Sequence, residues 1–172
     1  MNMDNEITEL GEFNKKFEET YKLFKKHLEN NEEVGASFTV YQNGEVLVDL
    51  YGGYRDRDKK NKWDENTIVN IHSTSKGIVA MIVAKLIDNG DLDLEKNVSE
   101  YWPEFGVSEK KEIKVKTLLS HQAGMYGWRQ QINETDFYKW DFVVDLLAKQ
   151  EPYHKAEEKI CYHPKTIGFL VG

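Results

Sequence analysis

At 172 residues, with 40% hydrophobic and 31% charged side chains, the chain is long enough to bury one hydrophobic core and too apolar to be disordered. Its formal net charge of −7 argues against nucleic acid or an anionic membrane as a partner, since both call for clustered Lys and Arg. Cys161 is the only cysteine, so no intrachain disulfide can form and no oxidising compartment is needed. Residues 1–13 lack the basic and apolar regions of a signal peptide, and the longest apolar run, residues 78–84, is too short to cross a bilayer. The expectation is one cytoplasmic domain over residues 1–172.

In chain order, Phe13, Phe17, Tyr21, Phe24 and Leu28 recur at helical spacing and predict an opening amphipathic helix, with Asn30 and Asn31 as stop signals. Two β-rich runs follow at 36–41 and 45–51. They are joined by Gln42-Asn43-Gly44, and Asn-Gly between such runs is a strong hairpin signal. A lone hairpin is marginal in water, and no strong strand pattern follows Tyr51. The hairpin is therefore expected to lie on helices alone or to pair with strands outside this sequence. The charged stretch 55–62 reads as a solvated turn.

From residue 73 to 89 the sequence turns into a long, mostly apolar helix. With Lys85 its main interruption, it is expected to be buried centrally, and Gly90 is placed to close it. Residues 113–120 form a short amphipathic element, followed by a glycine-containing loop at 121–127. Trp140, Val143, Val144 and Leu147 give a last helical stripe that Pro152 stops. Residues 1–72 thus read as helix and hairpin, and residues 73–172 as mainly helical.

The chemistry concentrates at Ser73-Thr74-Ser75-Lys76. A serine hydroxyl needs a neighbouring base to act as a nucleophile at neutral pH, and positions i and i+3 share a helix face, so Lys76 can reach Ser73 Oγ. Burial and the positive end of a helix dipole would both favour the neutral amine a base requires. The backbone N–H of Ser73 could serve a developing oxyanion. The alternative is that Ser73 merely caps the helix. Two features favour catalysis: Lys76 stands where the helix becomes almost wholly apolar, and an extended run at 67–71 would hold Ser73 at a rigid edge. The five histidines, His27, His72, His121, His154 and His163, have no metal-ligand spacing, so neither metal nor cofactor is expected. Cys161 reads as a small apolar residue and His121 as a structural hydrogen-bonding residue.

The segments EVLVDLYGG at 45–53, WDENT at 63–67 and STSKG at 73–77 resemble, in order, blocks of the β-lactamase-related serine hydrolases. GDLDL at 90–94, YWPEF at 101–105 and LLSHQAGM at 118–125 continue the resemblance, which runs from about Gly35 to the last residue and is nearest to the family VIII carboxylesterases. It implies an α/β fold of the α+β type: an antiparallel sheet flanked by helices, a helical subdomain, and an active site between them. It also implies that Tyr162, in Tyr162-His163-Pro164, faces Ser73 and Lys76 and exchanges the serine proton. A β-lactamase would carry asparagine where Pro164 stands, so a small ester is the expected substrate ahead of a β-lactam or a D-amino-acid peptide. A third family motif, Lys/His-x-Gly on a strand, would lie downstream. By this resemblance the chain is an N-terminal portion, with the 172 residues alone expected to be nearly inactive. A non-catalytic binding relative is the rival from another class, and oligomeric state is left open.

Overall fold

A computed structural model describes residues 5–172, with side chains from residue 9 onward. The chain divides into two compact units, Met1–Asn70 and Ile71–Gly172. The leader-peptide expectation rests partly on residues 1–4, which lie outside the described residues.

The first unit is a four-stranded antiparallel sheet covered by one helix. Strands β1 (Asn5–Thr8), β2 (Gly11–Asn14), β3 (Gly35–Gln42) and β4 (Glu45–Gly53) lie in the order β1-β2-β4-β3. The β3–β4 hairpin forms where Asn43-Gly44 predicts it. Both residues have positive φ, 53° and 86°, the backbone that a tight turn between twisted strands requires. The strand partners expected on helices or outside the sequence lie instead in the preceding residues: β2 pairs Phe13 with Val48 and Gly11 with Leu50. Each new strand is only four residues long, too short for alternation to show. Gly11 permits the close approach, because its φ is +108° and a Cβ there would fall 2.1 Å from the Asp49 carbonyl oxygen.

This pairing corrects the start of the first helix. Phe13 belongs to β2, a 3₁₀ turn covers Lys15–Phe17, and α1 runs over Glu18–Glu29. Phe13 still joins the expected apolar stripe, because its ring stacks on Tyr21 at 4.6 Å between centroids. Phe13, Val48 and Leu50 form the buried centre, with Phe17, Tyr21 and Phe24 packed against it. A side chain facing the sheet and one facing the helix produce the same spacing here.

The second unit is helical. α2 (Ser75–Asp88), α3 (Val98–Tyr101), α4 (Val115–Leu119), α5 (Trp140–Lys149) and α6 (Thr166–Val171) are joined by loops and 3₁₀ turns. Its core gathers Val98, Phe105, Ile113, Val115, Leu118, Ala123, Met125, Leu147 and Leu170. α2 ends as its sequence predicts. The Asp91 N–H reaches the Leu86 carbonyl and the Gly90 N–H that of Ile87, the paired bonds of a Schellman ending. Its expected central burial is not what the structure has. Val83 alone is buried, whereas Ile78, Met81, Ile82 and Leu86 are exposed, Met81 to 73%. A helix apolar all round can bury only the side that meets neighbours, and here that side is the one bearing Val79 and Val83. Residues 67–71 are likewise irregular, with no strand to form a rigid edge. No helix among the described residues is long and apolar enough to cross a membrane.

Phe13→Ala is expected to destabilise the sheet unit by about 3–5 kcal/mol, the cost of emptying a buried aromatic site. Urea denaturation followed by circular dichroism measures it. A loss below about 1 kcal/mol would mean that Phe13 is not the residue joining β2 to α1.

Candidate active site

The site begins at the entry to α2. A 3₁₀ turn, His72–Thr74, leads directly into the helix, so Ser73 and Lys76 lie one turn apart. Lys76 Nζ donates to Ser73 Oγ at 3.1 Å. Ser73 is not the helix cap: Thr74 occupies that position and makes no side-chain capping bond. The serine hydroxyl is instead held by functional groups, because the Tyr162 hydroxyl also donates to Ser73 Oγ, at 2.9 Å. The sequence-predicted residues Ser73, Lys76 and Tyr162 therefore meet at one oxygen, although Tyr162 is 89 positions from Ser73.

Lys76 is half-buried and not sunk into an apolar core. Its second acceptor is the Pro164 carbonyl oxygen at 2.8 Å, and its ammonium lies 5.3 Å from the centre of the Tyr162 ring. Proline lacks a side-chain donor or acceptor, yet its carbonyl fixes the lysine as well as any residue's would. The hydrogen bond to Ser73 lowers the Tyr162 phenol below its ordinary value of 10, and Lys76 adds to the shift by its own hydrogen bond and its charge. Tyr162 is 52% exposed, so the phenol is open to approach.

Two histidines support this edge, and sequence reasoning gave His163 no role. The His163 ring is fully buried, and its Nε2 accepts the Met125 N–H at 3.0 Å. Its Nδ1 meets the Cys161 carbonyl at 2.5 Å, and burial brings its pKa down to about 4. His121 has the hydrogen-bonding role expected of it: its Nδ1 accepts the His163 N–H at 3.2 Å. Only the adjacency of His163 to Tyr162 hinted at its part; its acceptor role depends on a loop 38 positions away.

Beside Lys76 opens a cleft of about 520 Å3 whose walls include His72, Val79, His121, Pro164, Lys165 and Ile167. Among the described residues, no group of three or more His, Cys, Asp or Glu side chains is placed to hold a metal ion. The arrangement supplies a hydroxyl, a phenol with a lowered pKa and a neighbouring ammonium, the parts a proton-exchanging nucleophile requires.

Residues 21–172 match the family model described as Beta-lactamase. The chain is 32% identical over 138 residues to esterase/beta-lactamase LipL of Mycobacterium tuberculosis, covering 80% of this chain and 32% of that protein. A crystal structure of a family VIII carboxylesterase superposes with a TM-score of 0.88 at 37% identity, over 93% of this chain and 43% of that one. A penicillin-binding protein homologue from Caulobacter crescentus gives a TM-score of 0.89 at 32% identity, over 97% of this chain and 44% of that one. The chain thus spans about a third of the curated relative and less than half of either solved chain. An antiparallel sheet and a Ser-x-x-Lys helix start accompany a family match over most of the chain: the protein belongs to the beta-lactamase family.

Proposed function

We propose that Ser73 is the nucleophile of a serine hydrolase that forms an acyl-enzyme, acting on small carboxylic esters. The observation that carries this reading is the convergence of Lys76 Nζ and Tyr162 OH on Ser73 Oγ, at 3.1 and 2.9 Å. In the resting arrangement Oγ accepts from both groups. When the phenol ionises its hydrogen is gone, and the Ser73 hydroxyl turns to donate to the phenolate, which Lys76 stabilises across its short separation. The phenolate takes the serine proton as Oγ bonds to the substrate carbonyl carbon, and the Ser73 N–H offers a donor to the resulting oxyanion. Tyr162 then returns the proton to the departing alcohol. Water completes the cycle by the same exchange.

Esters are favoured over amides by the third residue of the tyrosine segment. Pro164 has no side-chain amide to offer a substrate amide, and its carbonyl is committed to Lys76. The names of two relatives, esterase/beta-lactamase and family VIII carboxylesterase, both include ester hydrolysis, and the first also names a beta-lactamase. A cytoplasmic location, a small-molecule partner and the absence of nucleic-acid and membrane partners belong to the same proposal.

A fluorophosphonate probe tests the nucleophile, because it reads a single covalent step apart from turnover. In a full-length form Ser73 is expected to be the labelled residue, with labelling lost in Ser73→Ala and slowed at least about 10²-fold in Lys76→Ala and Tyr162→Phe. Full labelling of the Ser73→Ala chain would overturn the assignment.

The labelling rate carries a pH signature. The reactive form holds Tyr162 as phenolate, and the phenol lies below 10, so the rate should climb with pH and level off before an ordinary tyrosine would have titrated. Tyr162→Phe should remove that rising limb. A rate profile identical in the two proteins would show that the phenol is not the base.

A further inference from the structure

The serine-to-tyrosine contact requires Tyr162 to stay on the edge of the helical unit while half its surface faces solvent. His121 contacts its segment from both sides. The His121 carbonyl accepts the Cys161 N–H at 3.0 Å, and its Nδ1 accepts the His163 N–H at 3.2 Å. The residues immediately before and after Tyr162 are thus tied to one residue of another loop. Between those two bonds the His121 ring meets the Tyr162 ring edge-on, with centroids 4.9 Å apart and planes at 69°. Behind it, His163 is anchored to Met125, and Thr166 Oγ1 donates to the Met125 carbonyl at 2.6 Å, so the loop and the tyrosine segment are stitched together twice more.

We propose, building on the acyl-transfer reading, that His121 is a positioning residue for Tyr162, and that it works only as the neutral imidazole carrying its proton on Nε2. The reason is geometric. An Nδ1 that accepts a backbone N–H cannot also hold a proton, and protonating it would set N–H against N–H. The same logic fixes His163, whose Nε2 accepts from Met125, as the Nδ1–H form. Lys76, His72 of the 3₁₀ turn before α2 and Lys165 line one cleft with His121, the Tyr162 and His163 rings lie against its ring, and the Cys161 N–H meets its carbonyl. Burial first, and then the Lys76 charge, lower the His121 pKa, which keeps the accepting form populated into mild acid.

His121 also has φ +63°, in the left-handed region, and this separates two roles by substitution. Glycine fits that backbone best and asparagine tolerably, but only asparagine offers a side-chain oxygen near the place of Nδ1. A purely backbone role predicts His121→Gly at least as good as His121→Asn. The positioning role predicts the reverse.

The experiment follows the Tyr162 phenol by NMR of tyrosine labelled at the Cζ carbon, with Tyr162→Phe identifying its resonance among nine tyrosines. His121→Asn should keep the phenol titration near that of the unchanged chain. His121→Gly should move it up toward 10 and slow fluorophosphonate labelling of Ser73 by about tenfold, the worth of one hydrogen bond. Long-range ¹⁵N spectra of the unchanged chain should show His121 as Nε2–H and His163 as Nδ1–H, a measurement that needs no variant. Equal titration and labelling in the Asn and Gly variants, or His121 protonated on Nδ1 at neutral pH, would overturn the proposal. If Ser73 of a full-length form resists labelling while the two variants still differ in phenol titration, the acyl-transfer reading fails and the positioning role stands.

Discussion

The helical unit is organised around a contact between residues far apart in sequence: the Tyr162 hydroxyl on Ser73 Oγ. Neither side chain is buried, so apolar packing cannot hold them together. What holds them is a set of directional bonds, each supplied by a segment with its own reason to be rigid. The 3₁₀ turn at His72–Thr74 and the first turn of α2 set Ser73 and Lys76 one turn apart. The loop after α4 fixes residues 161–163 through the His121 carbonyl, the His121 ring and the Met125 N–H. Lys76 joins the two sets, since it reaches both Ser73 Oγ and the Pro164 carbonyl. An ammonium with two fixed oxygen acceptors beside a phenol is also an electrostatic device. It favours the phenolate without needing to lose its own proton.

What was legible in the sequence was mostly local. The Asn43-Gly44 turn, the closure of α2 after Asn89 and the Ser73–Lys76 spacing each involve residues within a few positions, so their geometry is written in adjacent letters. Tyr162 was legible only through resemblance to a family, because nothing in its own segment says what lies opposite. Phe13 was misread because its place in the helical stripe comes from packing on Tyr21, not from belonging to the helix. The burial of α2 was misread for a related reason. Hydrophobicity on every side says that a helix can be buried, whereas burial itself depends on which neighbours reach it, and the side bearing Ile78, Met81 and Ile82 is exposed. His163 was missed because its value lies in a tertiary bond to Met125.

The groups around Tyr162 act on it by two mechanisms. Lys76 and Ser73 act on Tyr162 through its hydroxyl, and so change how readily the proton leaves. His121 and His163 act on its backbone and ring, and so change where the phenol stands. A substitution of the first kind alters proton affinity directly. One of the second kind alters it only by letting the hydroxyl drift from its partners, and a residue that satisfies the same backbone donor should compensate. This is why a conservative replacement can restore a positioning residue but not the lysine or the serine.

The departure at Pro164 fits the same division. In this segment the third residue could contribute a side chain to the substrate or a carbonyl to the lysine. Here it contributes only the carbonyl, at 2.8 Å from Lys76 Nζ. Proline also fixes its own φ and restricts the residue before it, which is the buried His163. It therefore stiffens the chain between the histidine anchor and the lysine contact, at the expense of a polar group facing the substrate. A site built this way gives up a means of gripping an amide and keeps a well-held proton carrier. Under the proposed acyl-transfer reading that exchange suits an ester, whose alkoxide leaving group departs more readily than an amine and makes less demand on additional contacts to the acyl side.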